Sequence, residues 1–395
     1  MNVLIDKFLP RRDWLNQLKW RGSWSVVGNP IPNTLFARQS YDFSNGTIST
    51  RPPLFDDPQP ETTTSFETGL DVWMFENKFN FDLTYYNSTL RNQFLYVTTA
   101  NGESKPVNTG KIRNYGLEFQ ASYRWNINKD WRWQTGFNIA WNDNRILETY
   151  KTESGAPYEV QMGPNAFKIK YVEGGRYGDI YVNSFARDEN GHIKINDAGN
   201  YENAVPVMAS GKYETKVGNM TSPVTLGWNN TFTWKNFTLY FLIDGRIGGK
   251  VMSLTEADLD LYGLSERSAQ DRLNGERVMQ NGKEYILKPL PDGSGNKVSV
   301  ENYYTTIGAL PMEDHVYNAT SLRMRDISLS SAMPNLFGKN QGMTAQFSVK
   351  NAFFIYKDSP VDPDISVSAA NGYSGIDCYS LPTTRSFALT LKFNF

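Results

Sequence analysis

One cysteine and two histidines in 395 residues set the first limits. Cys378 alone cannot close an internal disulfide or build a thiolate cluster, and His192 with His315 is too few for a histidine-rich metal site. An excess of charge is missing as well: 40 Lys and Arg stand against 41 Asp and Glu, a net charge of -1. That balance implies neither nucleic acid nor an anionic membrane surface as a partner. No apolar run approaches the roughly 18 residues of a spanning helix. The opening Met1-Asn-Val-Leu-Ile-Asp6 lacks the apolar stretch of a secretion signal. An exported protein that begins this way is expected to be processed or incomplete. A membrane is not excluded, because barrel strands bring only about ten residues each, half of them polar, and average hydropathy passes over them.

What is abundant is aromatic. Phe, Trp and Tyr make up 14% of the chain, with 10 Trp, alongside 31 Gly. This mix suits strands joined by turns and long polar loops. The final segment places Phe387, Leu389, Leu391, Phe393 and Phe395 on one face and Ala388, Thr390, Lys392 and Asn394 on the other. Such alternation marks a strand with one dry and one wet face. A strand ending on an aromatic at the chain terminus is what an outer-membrane barrel needs for closure, since no backbone group can stay unpaired in lipid.

The same alternation predicts about ten strands, near 17–27, 64–74, 78–90, 111–126, 130–145, 223–234, 236–248, 320–332, 342–355 and 385–395. Leu117, Phe119, Ala121, Tyr123 and Trp125 share a face; so do Trp131, Trp133, Thr135, Phe137, Ile139 and Trp141. Near 320–332 the parity changes, and a bulge at Arg325-Asp326 would restore it. A soluble barrel or sandwich reads similarly with its faces exchanged, so the connections decide. Short ones are predicted at 75–78, 126–130, 235–236 and 334–342, and long ones near 28–63, 91–110, 146–222, 249–319 and 356–384. They alternate strictly, as inner turns and outer loops do in outer-membrane barrels. Aromatics flank the short turns: Phe75 and Phe79, Trp125 and Trp131, Trp234 and Phe237. From Trp131 to Trp141 is about 33 Å of strand at roughly 3.3 Å per residue. At a tilt of roughly 40° this projects to about 25 Å, the height of an apolar membrane band. Trp125, Trp131, Trp141, Trp234 and Phe237 are therefore expected to form membrane girdles.

The residues then carry a resemblance. Leu18-Lys-Trp-Arg-Gly-Ser-Trp24 with Val27-Gly-Asn29, Gly69-Leu-Asp71 followed by Tyr85-Tyr86, and Asn108-Thr-Gly-Lys-Ile-Arg-Asn-Tyr-Gly-Leu-Glu118 come first. Ser321-Leu-Arg-Met-Arg-Asp-Ile-Ser-Leu329, Val361-Asp-Pro-Asp364 and Pro382 through Phe395 follow. In that order and spacing they resemble the C-terminal barrel half of the SusC/RagA-type TonB-linked outer-membrane transporters of Bacteroidetes. The resemblance implies an all-β, antiparallel transmembrane barrel of about 22 strands, of which ten are here. It further implies a plug domain and TonB-contacting segment preceding residue 1, a SusD-like lipoprotein at the outer mouth, and an oligosaccharide or peptide cargo. A truncated or split gene would explain ten strands with two unpaired edges.

Other candidates have plainer readings. Asp188-Glu-Asn-Gly191 lacks the spaced ligands of a calcium loop and reads as a hairpin turn. Val361-Asp-Pro-Asp364 reads as a Pro-punctuated turn rather than an acid–base pair. Asp71, Asp82, Glu118, Arg124 and Arg132 share the lumen-facing parity, where a polar lining is the default. Tyr171, Tyr177, Tyr181, Tyr303 and Tyr304 fall in the long loops and are candidates for stacking on sugar rings. No nucleophile–base spacing, phosphate loop or cofactor motif appears, so no enzyme activity and no cofactor are expected. The alternatives are a self-contained ten-stranded outer-membrane protease or lipase and a soluble β-rich binding protein.

Overall fold

The computed structural model describes residues 1–8, 10, 12–30, 40–44, 47–51, 59–98, 104–151, 155–156, 158–162, 167–211, 213–309, 313–338, 341–365 and 375–394. One large sheet runs through it: β1 (Asn2–Leu4), β2 (Leu15–Asn29), β3 (Glu61–Met74), β4 (Phe79–Thr98), β5 (Ser104–Asn126), β6 (Trp131–Glu148), β7 (Val224–Trp234), β8 (Phe237–Ile247), β9 (Ser321–Gly338), β10 (Gln341–Lys357) and β11 (Ser386–Asn394). Spatial order equals chain order, with β1 and β11 at the two edges. Every pairing in it is antiparallel.

All ten expected strands are present, and β1 adds an eleventh. Its three residues pair Asn2 with Arg21 and Leu4 with Lys19, too short a run to show alternation. The expected long connection at 91–110 is corrected, because β4 and β5 stay paired as far as Thr98 and Ser104. Register shifts around Gln93, beside Asn92 at φ 57°, flip the side-chain parity, so a strand read by strict alternation ends too early. Likewise β9 runs on to Gly338 and β10 resumes at Gln341, where a turn over 334–342 is expected. The bulge is where the parity break puts it: Leu242 faces Asp326 and Ile243 faces Met324, leaving Arg325 unopposed. Phe395 lies outside the described residues.

Registers turn the alternation into continuous rows. One apolar row reads Leu18, Val72, Phe81, Ala121, Phe137, Trp228, Ile243, Met324 and Phe353 across nine strands. Nearer the short turns another reads Trp125, Trp133, Phe232, Leu239, Leu329, Phe347 and Leu389. On the opposite face the row is polar: Lys19, Asp71, Asp82, Gln120, Asn138, Gly227, Asp244 and Arg323. Gly227 leaves room there for the Asn138 side chain, whose oxygen would lie 2.5 Å from a Cβ and would have to turn aside.

The dry core is not in this sheet. Phe137, Trp228, Phe347 and Leu389 on the apolar face are exposed, while most of the buried apolar residues belong to the long connections, joined by a few strand residues such as Val107, Ile112 and Ile146. One cluster joins Ile146, Phe167, Ile169, Ile180 and Met252, and another joins Phe185, Val298, Tyr303, Tyr304 and Ile307. A soluble sheet would bury its apolar face first.

Within the connection from β8 to β9 lie α1 (Leu254–Leu261), α2 (Glu266–Asn274) and α3 (Val300–Ala309), an addition to the all-β expectation. Ser253 and Ser265 cap α1 and α2 by accepting from the amides of Glu256 and Ser268. Among the described residues no helix is long and apolar enough to cross a membrane.

Candidate functional site: a two-faced wall and the assembly at its loop end

The sheet is a wall whose two faces differ in kind. On the apolar face, Trp131 stacks on Trp234 at 5.7 Å and Trp234 on Phe237 at 6.1 Å, beside the short turns. Lys235, in the turn, lies 5.6 Å from the Trp234 ring. Trp125 packs 6.5 Å from Trp133, one row further along. Trp141 stands near the loop end, 5.7 Å from Tyr115. Phe387, Leu389, Leu391 and Phe393 are exposed on the same face of β11.

The polar face carries charge in cross-strand pairs. Lys19 meets Asp71 at 3.0 Å, Arg21 pairs with Asp82, and Thr84 donates to Asp82 at 2.9 Å. Asp71 and Asp82 are direct neighbours, and the two carboxylates are held by Lys19 in their own row and by Arg21, which pairs with Gly69 further along β3. Glu118, Arg124 and Arg132 share this face but are spread along β5 and β6 rather than brought together. The pairing is legible only with the register, which alternation does not supply.

At the loop end the long connections fold into one assembly. Lys250–Ser253 pairs antiparallel with Val316–Asn318 and parallel with Ile376–Asp377. Thus the β8–β9 and β10–β11 connections are joined, and Ser253 donates to Asp377 at 2.7 Å. Buried Asp260 anchors the helices: Ser265 donates to it at 2.5 Å, His315 Nε2 lies 2.8 Å away, and Arg267 pairs with it. Burial alone would raise the Asp260 pKa, but the bonds from His315, Arg267 and Ser265 prevail and hold it below the ordinary carboxylate range. A cavity of about 370 Å³ opens beside these helices, lined by Tyr262, Arg272, Glu284, Tyr285 and Glu301 among others.

Helix α3 lies so close to α1 that a Cβ on Gly308 would sit 2.4 Å from the Leu261 amide nitrogen and 2.6 Å from the Ala257 carbonyl oxygen. Gly308→Val should therefore push the helices apart, at a cost of about 1–3 kcal/mol or more. Faster tryptic cleavage within 254–309, with the wall unaffected, is the expected outcome.

A profile of the family described as TonB dependent receptor-like, beta-barrel, matches residues 7–241. The chain belongs to this family.

It is an outer-membrane β-barrel protein. The chain is 23% identical to TonB-dependent receptor P3 of Formosa agariphila over 435 residues, covering 100% of this chain and 41% of that protein. To TonB-dependent receptor SusC of Bacteroides thetaiotaomicron it is 24% identical, over 99% of this chain and 39% of that one. A solved structure of the RagAB peptide transporter superposes with a TM-score of 0.70 at 17% identity, over 100% of this chain and 43% of that chain. The receptor barrel thus spans about two-fifths of the length of these relatives.

Several candidate residues of this receptor barrel take structural parts. Tyr303 and Tyr304 are buried, donating to Asp314 and Asp271 at 2.7 Å each, with Lys288 4.0 and 4.7 Å from their rings. Burial is the main reason that both phenols lie far above their ordinary pKa. Tyr171 is buried too and stacks on Tyr177 at 4.7 Å, while Lys170 covers Tyr181 at 5.1 Å. Tyr171, Tyr303 and Tyr304 are thus taken up in packing, while Tyr177 and Tyr181 are half-buried. Asp188-Glu-Asn-Gly191 is the expected turn: the Gly191 amide donates to the Asp188 carbonyl at 3.0 Å, with Gly191 at φ 83°. Cys378 is a free, exposed thiol.

The Val361-Asp-Pro-Asp364 turn is present, but its carboxylates do more than shape it. Asp362 and Asp364 meet Arg246, Arg323 and Arg325 from the wall. Sequence reasoning missed this cluster, because its partners lie 39 and 118 residues away. The parity break at Arg325 was the one local sign.

Proposed function

We propose that this chain forms the C-terminal wall of a TonB-dependent importer, with the apolar rows against lipid and the polar rows lining a lumen. The partition of an eleven-stranded sheet into an exposed apolar face and a paired, charged face carries this reading. The short turns then point inward to the periplasm and the long connections outward. Trp125, Trp131, Trp234 and Phe237 serve as the inner girdle and Trp141 as part of the outer one. Phe387, Leu389, Leu391 and Phe393 face lipid on β11. The TonB-dependent receptors among its relatives support energy from TonB; an oligosaccharide or peptide cargo, a SusD-like lipoprotein cap and a plug domain follow from the resemblance in the sequence.

The hydrolase alternative gains nothing from the His–Asp–Ser grouping at Asp260. Ser265 donates to Asp260 rather than to His315, and His315 is fully buried, so no nucleophile–base relay faces a substrate.

Fractionation of cells producing the protein should place it in the outer membrane, with heat-modifiable electrophoretic mobility. Ending the chain after Arg385 removes β11 and leaves the β10 edge unpaired in hydrocarbon, so the heat-modifiable form should vanish. A soluble, monomeric, folded product would overturn the reading.

A further inference from the structure

Between β10 and β11 the chain is fastened twice. At the wall, Arg323 donates to Asp362 at 2.5 Å and lies 3.1 Å from Asp364. Arg325 bridges Asp364 at 2.7 Å and Asp244 at 2.6 Å. Arg246 pairs with Asp364 and donates to the Pro363 carbonyl at 3.1 Å. Thr383 closes the ring, donating to Asp362 and accepting from Arg323 at 2.9 Å. Arg323 is only 3% exposed, with its guanidinium 3.9 Å from the Phe354 ring. At the loop assembly the same connection is fastened again. The Met252 amide donates to the Gly375 carbonyl at 2.9 Å, Ile376 and Asp377 pair with Met252 and Ser253, and Tyr379 donates to Asp258 at 2.7 Å.

We propose that residues 358–365 and 375–385 form a strap holding the loop assembly to β8 and β9, with Arg323, Arg325, Asp362 and Asp364 as its positioning residues. Three cations and three carboxylates balance, so the clasp is strong only while complete. Losing one partner leaves an uncompensated charge beside the buried Arg323–Asp362 pair. In the importer, the assembly over the lumen mouth and the wall beneath it then move as one body. This consequence rests on the transport reading; the fastening does not.

Amide hydrogen exchange on the full-length protein in outer-membrane vesicles tests the strap. In Asp362→Asn/Asp364→Asn, peptides covering Lys250–Ser253 and Ile376–Tyr379 should exchange about tenfold faster or more, while β6 and β7 keep their protection. Asp364→Asn alone leaves the Arg323–Asp362 pair in place and should give a smaller acceleration in the same peptides, which keeps the test open if the double variant fails to assemble. Arg187→Ala, which removes the exposed Arg187–Glu313 pair, should change neither peptide. Unchanged exchange in the first two variants, or equal acceleration of β8 and β9, would overturn the strap. Protein found outside the outer membrane would instead overturn the transport reading and leave the exchange result intact.

Discussion

Phe137→Arg is expected to abolish assembly of the wall, whereas Gln134→Arg, three residues away on the other face, leaves it intact. Phe137 sits mid-row between Ala121 and Trp228 and is 37% exposed on the apolar face. In the bilayer an arginine there costs about 2–4 kcal/mol, enough to cut the assembled fraction by roughly 30- to 1,000-fold if stability is marginal. Gln134 pairs with Arg124 across β5 and β6 on the polar face, where a further guanidinium stays hydrated. The heat-modifiable band in electrophoresis reports the outcome. It should be lost in the first variant and retained in the second.

The second large effect is at the loop end. Asp260→Ala removes the fully buried acceptor shared by Ser265, Arg267 and His315, and leaves the half-buried Arg267 with Glu256 at 3.7 Å as its carboxylate partner. Losing an acceptor costs about 1–3 kcal/mol for each buried group that used it, so the helices should come apart while the wall stands. All ten Trp residues lie between 14 and 234, outside the α1–α3 connection, so tryptophan emission follows the wall. Tryptic cleavage after Arg272 or Arg277 follows the assembly. Cleavage should accelerate and emission stay unchanged. Acid should act in the same direction. Because the Asp260 pKa is lowered in the folded state, its contribution is complete above the ordinary aspartate value of 3.8 and is lost as pH falls below it.

Most of the wall was legible because a two-sided strand in lipid must alternate, and ten of eleven strands do so visibly. Where a bulge shifts parity without a second cue, as beside Asn92, the reading stopped short. Where parity broke inside an otherwise strong pattern, at Arg325, the bulge could be placed in advance. The aromatics beside the short turns were legible by spacing, and Trp131, Trp234 and Phe237 do stack there; their part as a girdle belongs to the proposed function.

The loop end was not legible in this way. Its contacts join residues far apart in sequence, such as Arg246 with Asp364 and Ser253 with Asp377, and no periodicity encodes them. Loop tyrosines were a misleading signal for the same reason. Tyr303 looks available in the sequence, yet α3 turns it inward onto Asp314 and Lys288.

The orientation of β6 tests the central claim most directly. With Cys378 replaced by Ser, single cysteines at successive positions from Arg132 to Ala140 would carry nitroxide labels in outer-membrane vesicles. Positions 133, 135, 137 and 139 should be relaxed by lipid-dissolved oxygen, and positions 132, 134, 136, 138 and 140 by a water-soluble nickel chelate, in strict alternation. The reverse phase, or labels at 133 and 137 shielded from oxygen inside a protein interior, would contradict a lipid-facing wall.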